Sequence, residues 1–289
     1  MQTAPTTNAG KDARQTARHG LTIYFAIVVV LSAAIESIVI SNPEFDGLIA
    51  GLMLVPALAS VVARLVLREG FADVSFRFGG RRGWSAIGFS LIFPVVVGLV
   101  AYGIAWTTDL ARFDPQSMNS LIAPFAIGLV VSLVLVSGEE IGWRGYMLTH
   151  LIDAGVPKPV LASGVIWGLW HLPLVLAGVY ASGSSPAFSA LVFMVSITSF
   201  GYVIAYVRLE TGSIWPAIVL HAAWNSVILR ALDPMTTGAG ATLWTGESGV
   251  LTALTLVAAA SYFSRRLAQT HAAPSRENIL ENKVKGSRT

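Results

Sequence analysis

Cysteine is absent from all 289 residues. Disulfides, thiolate metal sites and a cysteine nucleophile are therefore excluded, and any chemistry must come from carboxylate, imidazole, amide or hydroxyl groups. Charge is scarce too. Asp, Glu, Lys and Arg make up 12% of the chain, against roughly a quarter in a soluble domain, and the mean hydropathy is +0.66. With 54% hydrophobic residues, the chain cannot hide its apolar surface in one aqueous core. The net charge of +3 carries little information, because in such a chain the location of Lys and Arg says more than their sum. Nothing here makes a nucleic-acid surface. The N-terminal stretch lacks an A-x-A-like cleavage pattern, so it reads as a tail and not as a signal peptide.

What is present is a succession of apolar runs, at about 21–41, 46–67, 84–106, 119–148, 159–180, 186–208, 213–232 and 248–264. Each approaches the roughly 20 residues a helix needs to cross a hydrocarbon core. The pattern predicts an all-α, polytopic integral membrane protein of about eight transmembrane helices, with a basic cytoplasmic tail over 1–20, a membrane domain over 21–267 and a flexible tail over 268–289. Of the 19 Lys and Arg, all but Arg112 and Arg230 fall in the tails or near the loops after spans 2, 4 and 6. The positive-inside rule then puts both termini in the cytoplasm, with the plasma (inner) membrane as the expected location. Glu36 and Arg64 lie near predicted span ends, where snorkelling to the interface is the simple account of a charge. The segment 68–84, with Arg77, Arg81 and Arg82 among Phe71, Phe76 and Phe78, reads as a loop resting on anionic headgroups, so membrane lipids are expected partners.

Polar residues inside the spans are few and patterned. Span 4 carries Glu139, Glu140 and Arg144 in an otherwise apolar helix, where ionisable groups usually face a cavity and serve a function. Glu140 and Arg144 are four apart and share a face, with the carboxylate N-terminal to the cation, so they can brace the site by neutralising each other. Glu139 points about 100° away and has no partner near it in sequence, which makes it the candidate general base. Span 5 carries His171 two residues before Pro173, which should kink the helix. Span 7 carries His221 and Asn225 on one face, with Ala222 and Ala223 between them to admit a neighbouring helix. At about 1.5 Å per residue from inner ends near 152, 159 and 213, Glu139, His171 and Asn225 each lie roughly 18–20 Å deep. Residues of three helices at one level are the basis for expecting a single site, in a catalytic core over about 119–232.

A carboxylate, two imidazoles and an amide in a wet pocket suit hydrolysis: one group takes a proton from water while donors hold the developing oxyanion. The same four residues, Glu139, His171, His221 and Asn225, are candidate ligands for zinc or another divalent metal, and their pattern leaves metal-bound and metal-free mechanisms equally open. The chain has no HExxH zinc helix, no GxSG serine site and no paired aspartates within a span.

Glu139-Glu140-x-x-x-Arg144, the aromatic-x-x-x-His ending at His171, and His221-x-x-x-Asn225 together resemble the CPBP family. These are the CAAX-processing and bacteriocin-processing intramembrane proteases, also called type II CAAX prenyl endopeptidase-like or ABI proteins. Trp167 stands where that pattern usually has Phe. The resemblance implies that Glu139 and His171 activate water, that His221 and Asn225 stabilise the oxyanion or join a metal, and that Glu140 and Arg144 brace the site. It implies a membrane-associated or lipidated peptide or protein as substrate, of CAAX type or a leader or bacteriocin precursor. Two other classes fit the same residues: a non-catalytic membrane scaffold or immunity protein, and a proton-coupled transporter using Glu139 and His171 as a relay.

Overall fold

The computed structural model describes residues 8–115 and 118–272. The chain is all-α, and its helices follow the apolar runs: α1 (Asn8–Ser41), α2 (Leu48–Leu67), α3 (Gly80–Thr107), α4 (Met118–Gly142), the short α5 (Leu148–Asp153), α6 (Pro159–Leu176), α7 (Pro186–Thr211), α8 (Trp215–Trp224), the short α9 (Ala241–Trp244) and α10 (Val250–Ala272). Among the described residues the strands are β1 (Arg112–Phe113) and β2 (Thr236–Thr237), an antiparallel pair tying the loop after α3 to the loop before α9. Helix suits these runs, because its intrasegment hydrogen bonds satisfy a backbone surrounded by hydrocarbon.

The protein is an integral membrane protein. Five helices, α1, α2, α3, α6 and α7, are each long and apolar enough to cross a bilayer. The other three expected spans are helical too: α4 continues towards α5, α8 is prolonged by a wider turn, and α10 ends in a polar segment carrying Arg265 and Arg266. Val29, Leu65, Leu99, Val134, Leu191 and Leu254 are 61–69% exposed, one from each of six helices, as lipid-facing side chains should be. Prolines inside α2, α3 and α6 are compatible with this setting, since neighbouring groups in a bundle can re-satisfy the backbone they free.

Several local expectations are revised. The predicted tail is helical from Asn8, and its Ala17 and Leu21 are buried, so the helix of the first span begins before residue 21 and packs against the bundle there. The predicted C-terminal tail begins inside α10, and from residue 273 onwards it lies outside the described residues. Arg64 does not snorkel. It is 1% exposed, and its guanidinium grips Asp73 through two bonds of 2.5 and 2.8 Å while also donating to the carbonyls of Gly70 and Gly145. A buried arginine is stable there because the loop after α2 returns a carboxylate to it. Glu36 is likewise buried, with Oε1 lacking a partner among the described residues.

Close helix contacts fix the positions of the functional residues. A Cβ on Gly138 would meet the Met53 carbonyl at 2.9 Å, and one on Gly142 would meet the Pro56 carbonyl carbon at 2.4 Å, so α4 and α2 approach backbone to backbone on either side of Glu139 and Glu140. Gly164 and Gly201 do the same for α6 and α7, where a Cβ on Gly201 would lie 3.1 Å from the Gly164 Cα. Both key helices then change winding. Residues Trp143–Met147 and Asn225–Leu232 form π-helix, in which Leu148 N–H reaches back to Trp143 and Asp233 N–H to Ile228. Such wide turns inside α-helices are frequent at functional sites.

Candidate active site

Glu139, His171, His221 and Asn225, from three different helices, line one cavity of about 340 Å³, together with apolar Ile49, Leu52, Met53 and Leu174. At about 30 Å³ per water, that space holds on the order of ten molecules. Glu140 and Arg144 lie behind the wall. Helical geometry sends adjacent glutamates in different directions, and here it divides them between the cavity and its support.

Glu140 is fully buried and its Oε1 accepts twice, from Arg144 Nη1 at 2.9 Å and from His221 Nδ1 at 2.8 Å. The carboxylate thereby fixes the His221 ring and, when the ring is neutral, places its proton on Nδ1 and leaves Nε2 bare. To donate to an oxyanion, His221 must carry protons on both nitrogens, and the adjacent carboxylate is a suitable partner for that charged ring. His171 is set similarly. Its Nδ1 lies 2.9 Å from the Trp167 carbonyl, which can only accept, so Nδ1 carries the proton and Nε2 is the free base.

Glu139 is 2% exposed, and its Oε2 accepts from the indole of Trp167 at 3.0 Å. Oε1 has no protein partner among the described residues and is not sealed off, so it meets the cavity. The Trp167 indole is a partner that reading the sequence did not find: it is 28 positions away, and local spacing cannot reveal it. In the sequence Trp167 stands out only as the aromatic residue four positions before His171.

Tyr180 was missed for the same reason. It lines the cavity, packs against His171 at a ring distance of 5.7 Å and donates to Glu247, which also accepts from Trp224 at 2.8 Å. Glu247 lies just before α10, outside the apolar runs in which polar residues stand out. Asp233 follows the second π segment and accepts from Tyr102 at 2.5 Å; burial pushes its carboxyl up to about 6.

Two imidazoles, each with Nδ1 anchored and Nε2 free, have the outer-shell pattern common among histidine ligands. Yet among the described residues no three His, Asp or Glu side chains converge closely enough to hold an ion.

Comparison with known proteins is consistent with this geometry. Residues 121–227 match the family described as type II CAAX prenyl endopeptidase Rce1-like, a region that contains all six residues singled out above. The chain is 28% identical over 141 residues to CAAX prenyl protease 2 of Methanococcus maripaludis, covering 47% of this chain and 52% of that protein. It thus spans about half the length of the curated relative it matches. The resemblance read from the three motifs is borne out over this region.

Proposed function

We propose that this protein is an intramembrane endopeptidase that hydrolyses a peptide bond in a membrane-associated or lipidated substrate. The observation that carries the proposal is the convergence of Glu139, His171, His221 and Asn225 on one cavity among apolar helices. The match of that region to prenyl endopeptidases supports the reading.

In the proposed reaction, water enters between Glu139 and His171. Glu139 Oε1 takes its proton, with His171 Nε2 as the second acceptor in reach of the cavity. The hydroxide adds to the scissile carbonyl, whose oxygen becomes negative. Asn225, through its amide, and doubly protonated His221 hold that charge, and Glu140 positions His221 before reaction begins. The C–N bond breaks as the proton held by the base passes to the leaving nitrogen, giving a new carboxylate and a new amine. Glu140 and Arg144 keep His221 in place throughout. The apolar lining, Ile49, Leu52, Met53 and Leu174, suits a hydrophobic or lipidated segment of CAAX type or of a leader or bacteriocin precursor. We further assign the protein eight crossings and cytoplasmic termini in the plasma membrane, on the distribution of its basic residues.

The test is cleavage by purified protein in proteoliposomes presented with lipidated and membrane-embedded peptides. Glu139→Ala and His171→Ala are expected to abolish cleavage while insertion and melting temperature stay close to wild type. Wild-type protein that cleaves nothing across such a set would refute the proposal and favour a scaffold. Zinc use is decided in the same assay: with water activated by the side chains alone, activity survives chelation, whereas loss on chelation with recovery on adding zinc would establish a metal mechanism.

A further inference from the structure

The side chain of Trp167 meets both glutamate systems of the site. Its Nε1 lies 3.0 Å from Glu139 Oε2, and the Arg144 guanidinium carbon lies 4.0 Å above its ring centroid. The His221 and His171 rings approach it at right-angled geometry, with centroids 5.1 and 5.6 Å away. Trp167 and Arg144 are wholly buried. Arg144 binds Glu140 directly through Nη1, while its Nε and Nη2 have no hydrogen-bond partner among the described residues, so much of its charge is directed at the ring.

A phenyl ring would form the same wall without an N–H, so the indole supplies something further. A cation over one face of an indole draws π-electron density towards itself and leaves the ring N–H more positive. A carboxylate accepting from that N–H is then held more strongly than by an isolated indole, and because the ring and the guanidinium are both wholly buried the effect is little screened. One guanidinium would in this way serve both adjacent carboxylates.

We propose that Trp167 is a positioning residue that transmits the charge of Arg144 to Glu139, fixing Oε2 so that Oε1 is the oxygen presented to water. The kinetic consequence rests on the endopeptidase reading; the bond and its polarisation do not.

Both parts are measurable on the full-length protein. The eight tryptophans are labelled with 15N at the indole nitrogen, and the Trp167 signal is identified by its loss in Trp167→Phe. Its N–H proton is expected downfield, as for a donor to a carboxylate. It should move upfield in Glu139→Gln and, by a smaller step, in the double variant Glu140→Gln/Arg144→Met, which takes the charge away from the ring without leaving a lone buried ion. A signal that stays in place in Glu139→Gln overturns the bond, and one unmoved in the double variant overturns the coupling. In the cleavage assay Trp167→Phe should lower kcat about ten-fold, with KM within about two-fold of wild type. Benzothienylalanine at position 167, which keeps the indole shape without an N–H, should reproduce the loss; full activity with it overturns the positioning role. Should wild type cleave no peptide, the endopeptidase reading falls, and the indole signal alone upholds or overturns the bond and the coupling.

Discussion

Replacing Arg144 by Met separates the two halves of the buried support for the active site, and the structure fixes the direction and size of the effect. Arg144 and Glu140 are both wholly buried, 2.9 Å apart, and His221 is the other partner of that carboxylate. Methionine fills much of the volume but leaves Glu140 as a carboxylate without its cation. When the His221 ring is neutral the remaining charge is uncompensated, and removing one partner of a buried pair then costs about 3–5 kcal/mol. Loss of the cation over Trp167 acts in the same direction. At about 2–4 °C per kcal/mol for chains approaching this size, the variant should melt on the order of 10 °C below wild type. The informative comparison is with the double variant Glu140→Gln/Arg144→Met. There no charge is left behind, the glutamine carbonyl still accepts from His221, and the cost should fall to about 1 kcal/mol. Thermal unfolding of the detergent-solubilised proteins, followed by tryptophan fluorescence, gives both numbers. If the single and double variants melt together, Glu140 suffers no penalty from losing its partner and the account of the brace is wrong.

Gly142→Ala should be severely destabilising, by more than the about 1–3 kcal/mol of ordinary overpacking, since its Cβ would meet the Pro56 backbone at 2.4 Å; Gly103→Ala, with nothing within 4 Å, should leave the melting temperature nearly unchanged, and similar melting for the two would contradict the α2–α4 contact. Burial raises the Asp233 carboxyl from 3.8 to about 6, so the native state holds that proton more tightly than the unfolded chain and gains stability below about pH 4 that is lost as pH rises through about 6. Asp233→Asn should remove that part of the pH dependence, read from melting curves between about pH 4 and 7; an unchanged slope would show that Asp233 titrates normally.

Much of this was legible in the sequence because two of its signals are local. Hydropathy over windows the length of a bilayer crossing gave the helices, and spacing of four paired Glu140 with Arg144 and His221 with Asn225. The turn of about 100° per helical residue also predicted that Glu139 and Glu140 would diverge. What sequence could not give are contacts made by distant segments. Arg64 looked like a snorkelling residue because Asp73 lies in a loop whose return to the helix no periodicity announces. Glu139 looked unpartnered because its donor is an indole on another helix. The helical N-terminal stretch looked like a loose tail because its residues are polar, although Ala17 and Leu21 pack against the bundle. The π segments at 143–147 and 225–232 have no residue signature of their own.

The claim on which the rest depends is that Glu139 activates a water molecule inside the membrane. Cleavage of a membrane peptide in water enriched in oxygen-18, followed by mass spectrometry, tests it most directly. Wild-type protein should place one heavy oxygen in the newly formed carboxyl group, and Glu139→Gln, of equal size but without a base, should form no product above background. Labelled product formed by Glu139→Gln at the wild-type rate would contradict the account.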